Sequence, residues 1–297
     1  MALEASRGEA AQDGRSAAAD DSRRAWDDVA AIYAERSLKS TPACAALLIE
    51  EAHRLLPFSS PGAHVLDVGC GPGAVAVALS SRFPDVGVLA SDFSPRMLAI
   101  LAGRRLPNVQ VTEADGMDLS PVLARHPQRF SHVLSAFMNQ FTPDPVQPVR
   151  EMMAATRPGG VVGLASWGTY DKERIFTAAA RSIDPSWDSP GMWSTMDFPE
   201  DAAGLQQLFK SLGLEQVRSS RKTIVFELDS AESCVDLFFG SNNPAFNKVI
   251  HTFRSLHGDD GVQEARRRMP EIMERDGWDL AKIQCEAFIT VGCKPAP

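Results

Sequence analysis

No apolar run in the 297 residues reaches the roughly 18 that a membrane-spanning helix needs. Basic residues are also in short supply, 30 against 38 acidic ones, for a formal charge of -8. A field of that sign repels phosphate backbones, so nucleic acid is not the expected partner. Cysteines at redox or zinc spacing are missing as well. Cys44, Cys70, Cys234, Cys285 and Cys293 are odd in number and show no CxxC or Cys/His pattern, which argues against both a disulfide framework and a metal site. The opening MALEASRGEAAQDGRSAAADDSRR lacks the apolar core of a signal peptide. A cytoplasmic location is therefore the expectation. Internal repeats and sustained heptads are absent too.

With 44% hydrophobic and 23% charged side chains, the chain can bury a sizeable core. Residues 1–22 are nearly all small or polar and read as a loose tail, and residues 23–297 read as a single domain. A helical cap is expected over 23–60. Trp26, Val29, Ala30, Ile32 and Tyr33 recur at helical spacing, and a second helix with Thr41 as N-cap follows, presenting Ala45, Leu48, Ile49, Ala52, Leu55 and Leu56.

Beyond Gly62, short β-rich runs alternate with helical stretches, the pattern of βαβ units in a mostly parallel sheet. Strands are expected at 64–68, 87–91, 109–113, 132–136, 161–167, 215–228 and 282–293, with helices at 73–82, 95–104 (capped by Ser94), 120–125, 145–156 and 200–212. Two stretches break the alternation: a Trp- and Pro-rich loop over 168–198 and a largely helical block over 231–280. Both read as substrate lids.

The sharpest motif is HVLDVGCGPGAVAVAL, residues 64–79: an apolar strand ending in Asp67, glycines at 69, 71 and 73, then a helix. Such glycines let the backbone turn tightly and approach a ligand, and the helix start attracts an anionic group. Gly69, Gly71 and Ala74 also satisfy a dinucleotide fingerprint, with Asp92 placed like a ribose-binding acid. A nicotinamide-dependent reductase is thus one reading. Against it, Asp67 would oppose a pyrophosphate but suit a cationic amine, Pro72 removes a loop N–H, and RPGG at 157–160 has no role in such a site.

The motifs LDVGCGPG (66–73), LASDFSPRML (89–98), EADGMDL (113–119), SAFMNQFTPDP (135–145) and RPGGVVGLASW (157–167), in that order, resemble the class I S-adenosylmethionine-dependent methyltransferases, within them the UbiE-like small-molecule group. The resemblance implies an α/β, Rossmann-like, doubly wound seven-stranded sheet in the order 3-2-1-4-5-7-6 with strand 7 antiparallel. It implies S-adenosyl-L-methionine as cofactor, with Asp67, Gly69, Cys70, Gly71 and Gly73 at its methionine end and Asp92 on its ribose hydroxyls. Phe93 and Met97 would flank the adenine, Ala114, Asp115 and Gly116 would meet its amino group, and Ala136, Phe137 and Met138 would pass beneath the sulfonium. Phe93 and Met97 fit an ordinary core as well, because their spacing is helical. Phe130-Ser131-His132 departs from the Phe-Asp that often opens strand 4, and His132 inside a strand reads as a core histidine.

Methyl transfer from a sulfonium is in-line displacement, so positioning supplies much of the rate. If the acceptor needs deprotonating, the candidate bases are His251, His257 and Tyr33. The strand-4 end lacks a [DN]PPY or Pro-Cys signature, which leaves a small molecule as the acceptor. Trp187, Trp193, Phe198, Phe238, Phe239, Phe246, Phe253 and Trp278 in the inserts would suit an aromatic or apolar one, or would anchor the inserts to the sheet. O- or N-methylation is favoured and carbon methylation stays open. A cofactor-binding protein without catalysis is the remaining alternative.

Overall fold

The computed structural model describes residues 20–35, 40–191, 198–240 and 244–296. Trp193 and most of the expected 1–22 tail lie outside them. The described chain begins in a helix, α1 (residues 20–35), followed by α2 (Thr41–Leu55). The sheet then alternates with helices: β1 (His64–Val68), α3 (Ala74–Arg82), β2 (Gly87–Asp92), α4 (Pro95–Ala102), β3 (Val109–Glu113), α5 (Ser120–Arg125), β4 (Phe130–Ala136), α6 (Gln147–Ala155) and β5 (Thr156–Tyr170). The remainder is α7 (Asp171–Arg181), α8 (Ala202–Ser211), β6 (Glu215–Phe226), α9 (Ala231–Phe239), α10 (Pro244–Arg275) and β7 (Ile283–Cys293).

Seven strands form one sheet in the order 3-2-1-4-5-7-6, as expected from the motifs. β1 to β5 run parallel, while β7 pairs antiparallel with both β5 and β6. Apolar side chains alternate between two cores. Leu134, Val161 and Ala165 face a layer that includes Leu48 and Ile49 of α2; Val133, Val162 and Leu164 face one that includes Val149 of α6 and Phe209 of α8. The five parallel strands therefore end on one edge, where ligands of such sheets bind.

Several local expectations are corrected. The cap position of α2 is Ser40, with Thr41 already helical and Pro42 in the first turn, and no side-chain cap bond forms. Residues 168–198 are not simply a loop: α7 occupies their first half, because Ile175, Phe176, Ala179 and Ala180 make a buried stripe at helical spacing. β5 starts at Thr156, earlier than the apolar run alone suggested. α10 breaks at Gly258, whose φ of 68° is open to glycine.

Ser131 explains the departure at the start of β4. Its hydroxyl accepts the His64 N–H at 2.8 Å and reaches the His64 carbonyl at 2.9 Å, tying β4 to β1. His132 is fully buried, with Nε2 donating to the Leu56 carbonyl and Nδ1 2.8 Å from the Ser131 hydroxyl. Burial pushes its pKa down to about 4. It is a neutral core residue.

Candidate functional site

β1 ends in the glycine loop, and three of its residues carry positive φ: Gly69 (65°), Gly71 (52°) and Gly73 (98°). The loop is pinned from β2. The Cys70 N–H donates to the Ser91 carbonyl at 2.9 Å, and the Gly71 N–H donates to Asp92 Oδ2 at 2.8 Å. Asp92 Oδ1 takes the Ser94 N–H at 2.9 Å, so one carboxylate holds both the loop and the start of α4. Burial raises its pKa against the help of these bonds. Ser94 caps α4 by accepting the Met97 N–H, as the sequence suggested.

Asp67 is fully buried at the end of β1. Its Oδ2 accepts the Ala76 N–H at 3.1 Å, and its Oδ1 has no hydrogen-bond partner. Burial first, with the nearby Asp92 charge adding to it, lifts its pKa to about 7 despite the Ala76 bond. A Cβ on Gly71 would meet nothing within 4 Å, so the loop is open at that point. The Cys70 thiol is buried beside both acids, and its pKa is pushed well up.

Across the strand tips, Met138 fills the clearance that two of the glycines leave. A Cβ on Gly69 would come within 2.6 Å of the Met138 side chain, and one on Gly116 would collide with its Sδ. Met138 thus explains the glycine at 116, and at 69 it acts together with the positive φ. Met97 is buried, Phe93 is half-buried, and the Ala114 N–H donates to the Asp92 carbonyl at 3.1 Å. Asp115 is exposed and its Oδ1 accepts the Met117 N–H at 2.8 Å, a turn-forming bond. Ala136 ends β4. Phe137 follows in a left-handed conformation (φ 66°), uncommon for so large a residue. Its N–H donates to the Ala165 carbonyl, and its ring lies flat on Trp167 with centroids 3.7 Å apart.

α1 crosses this edge. Arg23 lies 3.5 Å from Glu113 at the β3 tip, Asp27 Oδ1 takes the Ser94 hydroxyl at 2.5 Å and the Arg96 N–H at 3.2 Å, and Trp26 packs edge-on against Phe141 beyond β4. Tyr33, edge-on to Trp26 at 5.4 Å, is near enough to Asp92 that burial and that charge together push its phenol up to about 12. At neutral pH it holds its proton.

The two histidines considered as bases are placed elsewhere. His251 is exposed beside Arg254, and His257 lies 3.2 Å from Asp184 with its ring against Phe253. Most insert aromatics pack on one another: Phe176 stacks on Phe238, and Trp187 meets Phe253 edge-on at 5.0 Å. They join α7, α9 and α10. Phe246 alone of them touches Tyr170, at 6.1 Å, among the described residues. Sequence reasoning did not single out Tyr170, which ends β5 and is buried against Trp167; the expected strand stopped at 167, so no signal in the sequence marked it.

Comparison with known proteins follows the same lines. Residues 65–160 match a family described as a methyltransferase domain. The trans-aconitate 2-methyltransferase of Deinococcus radiodurans is 27% identical over 59% of this chain and 67% of its own. The malonyl-[acyl-carrier protein] O-methyltransferase of Dechloromonas aromatica is 26% identical over 79% of this chain and 76% of its own. For two other curated relatives the matched part spans only 34% and 48% of their length. The solved YcgJ protein of Bacillus subtilis shares the fold, with a TM-score of 0.50 at 16% identity over 85% of this chain and 98% of that one. With the strand order and the glycine loop in place, these likenesses support a class I S-adenosylmethionine-dependent methyltransferase.

Proposed function

We propose that the protein transfers a methyl group from S-adenosylmethionine to an oxygen of a small organic acid. The observation that carries the cofactor half is the unpartnered Asp67 Oδ1, buried at the strand tip next to an open glycine loop. A buried carboxylate with one oxygen unpartnered favours a cation, and the methionine end of the cofactor brings an ammonium group. Asp92 keeps lone pairs beyond those used by Gly71 and Ser94, so ribose hydroxyls could donate to it. The residues present therefore fit the cofactor. Phe93, Met97, Ala114, Asp115 and Gly116 would border the adenine, and Phe137 and Met138 the sulfonium side.

When bound, the cofactor supplies a methyl group already attached to its leaving group. The chain's own task is to hold the acceptor in line, exclude water and keep the site rigid. The choice of oxygen is supported by two relatives, one named for O-methylation and one for methylating trans-aconitate, a carboxylic acid. A carboxylate is already anionic at neutral pH, so no base is needed, which agrees with His251 and His257 sitting against Arg254 and Asp184.

Calorimetry with S-adenosylmethionine and S-adenosylhomocysteine is the first test, and NADH the control. Binding of NADH instead would return the reductase reading. Release of S-adenosylhomocysteine with a panel of carboxylates, phenols and amines is the second. Cofactor binding without turnover on any of them would leave a non-catalytic binding protein.

A further inference from the structure

We propose that Gln140 is a positioning residue of the cofactor site: its side-chain amide forms the last rung between β4 and β5 and so holds Met138 against the glycine loop. The proposal rests on the methyl-transfer reading above and adds what keeps the sulfonium side of the site in shape.

The regular pairing of β4 with β5 runs to Ala136 opposite Ala165, and one more bond follows, from the Phe137 N–H to the Ala165 carbonyl at 2.8 Å. In a parallel ladder the next rung would join the Trp167 N–H to the Phe137 carbonyl. Phe137 instead has a φ of 66°, which takes the chain out of the strand conformation. Gln140 supplies the rung. The Trp167 N–H donates to Gln140 Oε1 at 2.5 Å, and Gln140 Nε2 donates to the Trp167 carbonyl at 2.8 Å. Those two partners decide which end of the amide is oxygen, because an N–H needs an acceptor and a carbonyl needs a donor. A side chain bonded twice to the backbone of one residue acts as a short length of strand, three residues after the main chain has left the ladder.

Met138 and Asn139 lie between the two anchors. The Phe137 ring rests on Trp167 with centroids 3.7 Å apart, so Phe137 and Gln140 grip the same residue of β5, one by its ring and one by its backbone. Met138 then enters the clearance of both glycines, its Sδ 2.6 Å from the Cβ position of Gly69 and 2.4 Å from that of Gly116. Asn139 Nδ2 donates to the Pro145 carbonyl at 2.9 Å, and Phe141 meets Trp26 of α1 edge-on at 4.9 Å. Residues 137–141 thus touch β5, the glycine loop, the approach to α6 and the lid helix in turn. Ring and thioether contacts are weakly directional, whereas the paired amide bonds have a defined length and angle. The amide therefore sets where the segment stands on β5. Without it, the cofactor would have to order Met138 and its neighbours on arrival, and that ordering cost lowers affinity.

The test is calorimetric binding of S-adenosylhomocysteine to the full chain and its variants. Gln140→Met keeps the reach of the side chain and loses the amide pair. It should weaken binding about fivefold or more, with hydrogen exchange raised over residues 137–141 and unchanged in β1 to β3. Gln140→Glu keeps an acceptor for the Trp167 N–H but, when ionised, has no donor for the carbonyl; that carbonyl favours the protonated acid, which restores one. Its affinity relative to the wild type should climb toward one as pH falls from about 8 to about 5.5, and the ratio cancels the titration of Asp67 that both proteins share. A rung that served stability alone would leave that ratio flat. Because Gln140 acts through Met138, Gln140→Met made in the Met138→Ala protein should change affinity by less than about twofold. If Gln140→Met does not fold, the pH ratio of Gln140→Glu decides. Wild-type affinity in Gln140→Met, a flat ratio in Gln140→Glu, or an undiminished effect in the Met138→Ala background each overturns the positioning role and leaves the cofactor reading standing. Failure of S-adenosylhomocysteine to bind the wild type overturns both.

Discussion

Met138 occupies the volume that a side chain on Gly69 would need, with its Cβ, Cγ and Sδ each 2.6 Å from where a Gly69 Cβ would fall. The contact makes the glycine loop and the segment after β4 one packed unit. Gly69→Ala meets this clash at the stiff base of Met138 and also carries a φ of 65°, so it should cost on the order of 2–4 kcal/mol. Gly116→Ala meets mainly the flexible Sδ and Cε end of Met138 and should cost about 1 kcal/mol. Urea unfolding in a Met138→Ala background separates the two causes. The Gly116 cost should vanish there, while the Gly69 cost keeps its backbone part. Equal rescue of both would show that φ plays no role.

Asp67 makes the protein's own stability oppose its ionisation. Its folded pKa of about 7 lies above the roughly 3.9 of an unfolded aspartate, so its contribution is fully favourable below about pH 4 and is lost as pH rises through 7. Asp67→Asn should therefore stabilise the ligand-free protein at pH 8, by an amount on the order of a few kcal/mol. The same variant should bind S-adenosylhomocysteine at least tenfold more weakly. In the wild type an arriving ammonium favours the carboxylate, so binding near pH 6.5 should release a proton, seen as calorimetric heats that differ between two buffers. Unchanged affinity in the variant would remove Asp67 from the ammonium.

His132 has the opposite sign. Held neutral with a folded pKa of about 4 against roughly 6.5 unfolded, it stabilises above pH 6.5 and loses that contribution as pH falls toward 4. The loss is about 2 kcal/mol by pH 5. His132→Phe keeps the stack on Phe58 but strands the Leu56 carbonyl, costing about 1–3 kcal/mol at pH 8. The gap between variant and wild type should close by pH 5, because only the wild type has a proton to take up. Parallel pH profiles in thermal unfolding would refute the buried neutral ring.

Legibility in the sequence followed range. The bounds of β1 and β3, the Ser94 cap and the glycine loop were readable because each depends on residues within a few positions. α7 was hidden by the Trp and Pro residues that follow it, and the early start of β5 by RPGG. Within the site, the places of Asp67 and Asp92 near the ends of β1 and β2 were legible, but what they hold was not. The hold of Asp92 on the glycine loop, the orphaned oxygen of Asp67 and the Met138 fit arise from packing between segments far apart in the chain. The histidines of α10 had only their residue type in their favour, and the fold placed them against Arg254 and Asp184. Tyr170 had no motif at all.

The docking of α1 turns on one hydroxyl used twice. Ser94 Oγ accepts the Met97 N–H at 3.1 Å as a helix cap and donates to Asp27 Oδ1, which also takes the Arg96 N–H. Asp27→Ala should leave the cap intact and free the helix, because Ser94 needs Asp27 only as an acceptor. Ser94→Ala should lose both, and cost about 1 kcal/mol more in global stability. Hydrogen exchange over residues 20–35 should then rise in both variants by about tenfold, the equivalent of one charge-assisted bond, with the sheet unaffected. Because α1 carries Tyr33 over Asp92, both variants should also weaken cofactor binding severalfold. Faster exchange in α1 with unchanged cofactor affinity would show that the helix rests on the site without closing it.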